Sequence, residues 1–208
     1  MGDNPVPAGD KARNRPCAFC GVPSGAWQIL CPGAADAAGN DGGRAPACPL
    51  CALPQNLQRP HIDEEAGLVW LPEMSQQAVN ALVREIHIRL RALGESLDAA
   101  SVFRTRSDEL RRLHYTRSVL AERGPAAASR LGTASPRELG VSLLRLSPAG
   151  HSRRGMLLGG IRLLPLGRFF GGDEDAYPNI VDEWIGSRHG PIEPGPAARS
   201  ARLLRGEI

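Results

Sequence analysis

Four cysteines form two Cys-x-x-Cys pairs, Cys17-Ala18-Phe19-Cys20 and Cys48-Pro49-Leu50-Cys51. Two intervening residues is the spacing of a turn that aims both sulfurs at one point. Two such turns supply the four ligands of a closed tetrahedral zinc site. The chemistry is then structural, because a zinc held by four thiolates keeps no open position for water or substrate. Gly21 follows the first pair directly, and a glycine there permits the positive φ that turns backbone N–H groups toward a thiolate. Cys17, Cys20, Cys48 and Cys51 are therefore read as ligands of one structural Zn2+. Two other readings stay open: a thioredoxin-like redox pair, which needs a βαβ context not visible in the sequence, and an iron–sulfur centre. Cys31, followed by Pro32, falls outside both pairs and reads as a packed spare, with His61 the only other nearby substitute ligand.

Paired cysteines around a hairpin also hold together many HNH nucleases, whose chemistry needs a histidine general base beside a second metal. No histidine lies between Cys20 and Cys48. Asp36 and Asn40 are the plausible polar residues there, and neither replaces an imidazole of pKa near 6.5. Farther on, His61, Asp63, Glu64 and Glu65 form a charged cluster. Without a second histidine at ligand spacing it reads as a solvated loop before a strand.

The elements that must position the cysteines follow from the rest of the chain. A length of 208 residues suits one ordinary domain, or a small metal-held module joined to a helical part. Aromatic residues at 4 %, with Gly 24 and Pro 18, indicate a modest core with flexible ends. The net charge is +3 and Lys11 is the sole lysine. That arginine bias reads as a GC-rich genome, with phosphate binding as the alternative. Met1 to Arg15 lacks the apolar core of a signal peptide, and no stretch approaches the roughly 18 apolar residues of a transmembrane helix. A cytoplasmic protein is expected, and in that reducing compartment paired cysteines favour metal or redox roles over structural disulfides.

Residues 1–15 are expected to be a disordered tail and 16–72 a zinc-binding module. Residues 73–185 read as a helical region packed on it, and 186–208 as a second disordered tail. Ala26 to Leu30 predicts a short strand, and Gly33 to Pro46 a hairpin return with Asn40-Asp41-Gly42-Gly43 as its turn. Leu68 to Pro72 predicts another strand. Ser75 then caps a helix whose apolar stripe is Val79, Leu82, Val83, Ile86, Leu90 and Leu93, ended by Gly94. Arg84, His87, Arg89 and Arg91 are expected on its outer face. A second helix is expected from about Leu97 to Arg123, with Phe103, Leu110, Leu113 and Leu120 on one side and Arg104, Arg106, Arg111, Arg112 and Arg117 on the other. Gly124 to Ala128 reads as a helix breaker or linker. Ser135-Pro136-Arg137-Glu138 opens a third helix with a capping box. A further helix is expected from Arg153 to Leu164, and a final turn or two from Tyr177 to Ile185.

Cys17-Ala18-Phe19-Cys20-Gly21, Cys48-Pro49-Leu50-Cys51 and above all Leu71-Pro72-Glu73-Met74-Ser75-Gln76 resemble the IcmJ (DotN) family of the Dot/Icm type IVB secretion system. The resemblance spans roughly residues 15–146, and the helix start at Thr133-Ala134-Ser135-Pro136 is also similar. It implies an HNH-like zinc fold with four cysteine ligands and no established nuclease activity. It also implies a cytoplasmic role, peripheral to the inner membrane, in a coupling complex. There such proteins bind the coupling ATPase and other subunits and serve effectors indirectly. Relatives can retain an Asp-His pair in the hairpin, which this chain lacks.

The expectation is thus an α+β protein: an HNH-like or treble-clef zinc module with four cysteine ligands and a short β-hairpin, then several helices and disordered termini. The expected function is a non-enzymatic adaptor, with no nucleic-acid partner and no membrane insertion. The alternative is a degenerate HNH-type nucleic-acid-binding protein or nuclease.

Overall fold

A computed structural model describes residues 15–23, 25–32, 44–97 and 107–187. Most of both expected tails, the Asn40 to Gly43 turn with Asp36, and Phe103, Arg104 and Arg106 lie outside the described residues. The protein is mixed α+β, with short antiparallel strand pairs between helices.

After the first cysteine pair the chain makes one 3₁₀ turn, Gly25–Trp27, and enters β1 (Ile29–Pro32), which pairs with β2 (Arg44–Ala47) in the register Ile29↔Ala47 to Pro32↔Arg44. The expected strand from Ala26 therefore starts later. The cause lies far along the chain: the Ala26 N–H donates to Glu183 Oε1 at 2.8 Å, and Gly25 (φ +55°) leaves no room there for a Cβ.

The second cysteine pair opens α1 (Pro49–Ala52), with Cys48 as its cap and Cys51 within it. Then come a 3₁₀ turn (Leu53–Gln55), α2 (Ile62–Glu65) and β3 (Ala66–Trp70). The charged cluster lies on a helical turn and not a loop, exposed at Asp63 and Glu64 but not at Glu65. Glu65 is fully buried and accepts from Arg59 Nε at 2.7 Å, Arg59 Nη2 at 2.6 Å and the Phe170 N–H at 2.7 Å. Arg59 also lies over the Phe169 ring and donates to the Phe170 carbonyl. The burial of Ile62 and Ala66 on either side carries Glu65 inside, where only a paired carboxylate is tolerated.

Helix α3 (Gln76–Ala92) has the predicted ends. Ser75 Oγ accepts from the Ala78 N–H. At the other end Gly94 (φ +75°) donates to the Arg91 carbonyl and Glu95 to the Leu90 carbonyl, the paired bonds of a Schellman stop. Four helices follow: α4 (Asp108–Ala121), α5 (Gly124–Leu131), α6 (Pro136–Leu144) and α7 (Pro148–Leu157). The Gly-Pro-Ala run is thus a helix start and not a linker, since proline in a first turn gives up no hydrogen bond. Ser135 Oγ caps α6 through the Glu138 N–H as expected, but the Glu138 carboxylate bonds to Thr133 Oγ1, so the box is only half closed.

The apolar run after Arg153 is split. Gly160 (φ +78°) ends the helical part, and Ile161–Pro165 is a strand, β4, paired with β3 from Ala66↔Pro165 to Trp70↔Ile161. A short apolar run has no periodicity to separate strand from helix; its partner decides. The small hairpin β5 (Phe170–Gly171) and β6 (Glu174–Asp175) leads into α8 (Tyr177–Gly186).

The β3–β4 pair lies under α3 and α5, and α8 packs along α3. The core runs from the cysteine pairs through Leu50, Leu53, Ile62, Ile86 and Leu90 to Tyr177, Ile180 and Val181. Among the described residues no helix is long and apolar enough to cross a membrane.

Two expected surface residues of α3 are inside. Arg84 and His87 are buried, while Arg89 and Arg91 are exposed in ion pairs with Glu85, Glu109 and Asp182. On α4, Arg117 is likewise buried and donates to the Leu97 carbonyl, and His114, on the preceding turn, is buried too. His87 Nδ1 lies 2.8 Å from the Tyr177 hydroxyl. Burial, then the charge of Arg117, lowers the imidazole to about 3, so it meets the phenol as a neutral ring.

The folded value lies below the ordinary 6.5, so the unfolded chain binds the extra proton between the two. The stabilising contribution is complete above pH 6.5 and declines as pH falls toward 3. Between about pH 7.5 and 5 the wild type is expected to lose about 2 kcal/mol through this group. Urea unfolding of His87→Gln should show a correspondingly flatter pH dependence, and an unchanged slope would refute the assignment.

Candidate metal centre

The first cysteine pair is held by a tight turn. The Cys17 N–H donates to the Val22 carbonyl and the Gly21 N–H to the Cys17 carbonyl, each at 2.8 Å, with Gly21 at φ +73°. Pro16 bridges to Pro23 across the turn, and the Ala18 N–H donates to the Pro46 carbonyl, which docks the turn on β2. The second pair uses a helix start: Cys48 is the extended residue before α1, Pro49 fixes the first turn, and the Cys51 N–H returns to the Cys48 carbonyl.

The result is one cluster. The Sγ atoms of Cys17, Cys20, Cys48 and Cys51 all lie within 4.8 Å of one another, as free thiols. Cys20 and Cys48 are 3.8 Å apart. A tetrahedron with metal–sulfur bonds of about 2.3 Å has sulfur–sulfur edges of about 3.8 Å, so the cage fits a thiolate-bound metal ion. Cys31 is buried in β1 opposite Ala45 and outside the cluster. His61 is also elsewhere, stacked on Phe170 with Nδ1 2.9 Å from Glu64 Oε1.

Electrostatics point the same way. Hydrogen bonds from Cys20, Cys48 and Cys51 hold the Cys17 thiol far below its ordinary range. Cys20 is pushed up by Cys17 but pulled down by Cys48 and Cys51, to about 6. Cys48 is raised by Cys17, Cys20 and Cys51 and then by burial, and Cys51 chiefly by Cys17 and Cys20. Two sulfurs ionise readily at the expense of the other two. A divalent cation at the centre removes that conflict and lets all four be thiolates.

Two side chains of α3 donate to the sulfurs. Asn80 Nδ2 donates to Cys51 Sγ at 3.3 Å and to the Leu50 carbonyl at 3.2 Å. Gln76 Nε2 donates to Asn80 Oδ1 and to the Leu163 carbonyl, and Gln76 Oε1 accepts from the Leu163 N–H. One side chain thus closes the free edge of β4 and orients the amide that touches the cluster. Arg84 Nη1 lies 3.8 Å from Cys20 Sγ.

The cysteine spacing announces the four sulfurs but not Gln76, Asn80 or Arg84. A signal for these exists in the sequence: Gln76, Asn80, Arg84 and His87 recur at helical spacing beside Val79, Val83 and Leu90, a polar line along the stripe that faces the interior. No known protein-family model matches the chain, and no curated protein matches it.

Proposed function

We propose that the protein is a non-enzymatic, zinc-stabilised adaptor of a type IVB secretion coupling complex, cytoplasmic and peripheral to the inner membrane, binding the coupling ATPase and aiding effector recruitment. The four-thiolate cage supports a structural zinc, because such a sphere is full. The order of elements supports a treble-clef or HNH-like module: a cysteine turn, the β1–β2 hairpin, then a helix start bearing the second pair. The catalytic half of an HNH site has no counterpart in the sequence, since no histidine stands in the hairpin. The secretion assignment rests on the Leu71 to Gln76 block and the two cysteine pairs.

The observation that carries an adaptor role is α7. This ten-residue helix has no buried side chain, and it contains Gly150 and Gly155. Helices so short are marginal alone and hold their shape by packing. Around it Leu144 is 72 %, Met156 75 % and Leu157 57 % exposed. Arg145 and Arg153 have no carboxylate partner among the described residues, and the chain carries no acid from Leu139 to Gly172. An acidic, partly apolar protein segment suits that surface. The α3 helix packs against β4, α8, α4 and α1, and its exposed Arg89 and Arg91 are already paired with Glu85, Glu109 and Asp182.

Co-purification with the cytoplasmic part of the coupling ATPase is expected to give a stable complex. Met156→Glu with Leu157→Glu should weaken it at least about tenfold, the scale of losing two buried anchors. The same arginines favour a second reading, nucleic-acid binding. Salt-dependent DNA affinity, or plasmid cleavage with magnesium or manganese, in place of a complex would establish that alternative.

A further inference from the structure

We infer that Arg84 is the buried counter-charge of the cysteine centre, so that metal binding and the docking of α3 are one coupled event. This rests on the structural-metal reading above.

Arg84 is only 3 % exposed, and among the described residues no carboxylate lies within ion-pair distance of it. A guanidinium does not give up its proton, so its charge must be balanced where it stands. The nearest anionic chemistry is sulfur: Nη1 is 3.8 Å from Cys20 Sγ. Four thiolates around a divalent ion carry a net charge of about −2, and Arg84 halves it in an environment where solvent screens little. Asn80, one helical turn earlier, donates to Cys51. Two successive turns of α3 therefore address two different sulfurs, one from each cysteine pair.

Without metal nothing holds the four sulfurs in one arrangement, so Arg84 loses the fixed group of acceptors that it faces. A helix that carries an uncompensated buried charge docks poorly. By linkage the effect is reciprocal: whatever holds α3 in place strengthens metal binding. The same helix reaches α8 through His87–Tyr177 and through the Arg91–Asp182 pair, with contacts of 2.8 and 2.6 Å between its nitrogens and Asp182 Oδ1 and Oδ2. The metal centre is thereby mechanically connected to the C-terminal helix. Arg84 acts as a positioning residue and is not a ligand.

The test uses the full chain as wild type, Arg84→Met and Arg84→Lys. Zinc affinity is measured by competition with a chromophoric chelator, and Tm is measured with and without one equivalent of zinc. Arg84→Met should bind zinc about 10- to 100-fold more weakly. It should show a smaller zinc-induced rise in Tm from a metal-free Tm equal to or above that of the wild type. Zinc release by hydrogen peroxide should also be faster. Arg84→Lys, which keeps the charge, should recover most of the affinity. Equal affinity and equal Tm gain in Arg84→Met would overturn the inference. So would a metal-free Tm below the wild-type value, which marks Arg84 as packing alone, or Arg84→Lys behaving like Arg84→Met. A wild type that takes up no zinc would overturn the structural-metal reading and this inference together, whereas the preceding outcomes leave that reading standing.

Discussion

Withdrawal of the metal by a strong chelator is expected to remove most of the protein's stability, and Cys48→Ala or Cys51→Ala to do the same. Ala47, Cys48, Leu50 and Leu53 are fully buried, so the second cysteine pair lies inside the main core. Structural zinc sites contribute about 10–16 kcal/mol of apparent binding free energy. That is comparable to the roughly 5–15 kcal/mol by which whole domains are stable. Metal content should approach one zinc per chain by plasma emission, and the thermal midpoint followed by helical circular dichroism should fall sharply on chelation and return on adding zinc. Cys31→Ser is the control, since it lies outside the cluster and should keep its metal. Iron in place of zinc would correct the metal's identity, while no metal with oxidised thiols would reject the site.

The next largest effect is expected at Arg59 and Glu65. Removing one partner of a buried, hydrogen-bonded pair leaves the other charge stranded, at a cost of about 3–5 kcal/mol. Glu65→Gln and Arg59→Met should each lose that much in urea unfolding. The double variant should lose clearly less than the sum, because no charge is then left inside. Additive losses would mean that the two groups act separately. Glu65 also holds the Phe170 N–H, so even the double variant should not return to wild-type stability.

What the sequence discloses is whatever is settled within a few residues. The ligand pairs, the Ser75 and Gly94 ends of α3, the Ser135 cap and the β3 strand all depend on neighbours, and the structure has them. Arg84 and His87 fall on the opposite side from the expected one because polar residues on an amphipathic helix usually face water. Their partners, Cys20 and Tyr177, are 64 and 90 residues away, and no local pattern announces them. The strand β4 is hidden for the same reason, its mate being β3. Gln76 is the instructive case. It closes the block on which the family resemblance rests, yet its task emerges only when β4 and Asn80 are both in place.

The Ala26–Glu183 contact has a consequence for the order of events at the ribosome. All four thiols have been synthesised by Cys51, whereas Tyr177 and Glu183, which cover that end of the molecule, emerge more than a hundred residues later. At translation rates of about 5–20 residues per second the interval is roughly 6–26 s. Through that interval the nascent cysteine pairs lack the Glu183 contact that fixes the turn between them, so a metal ion arriving then meets a site not yet anchored to α8.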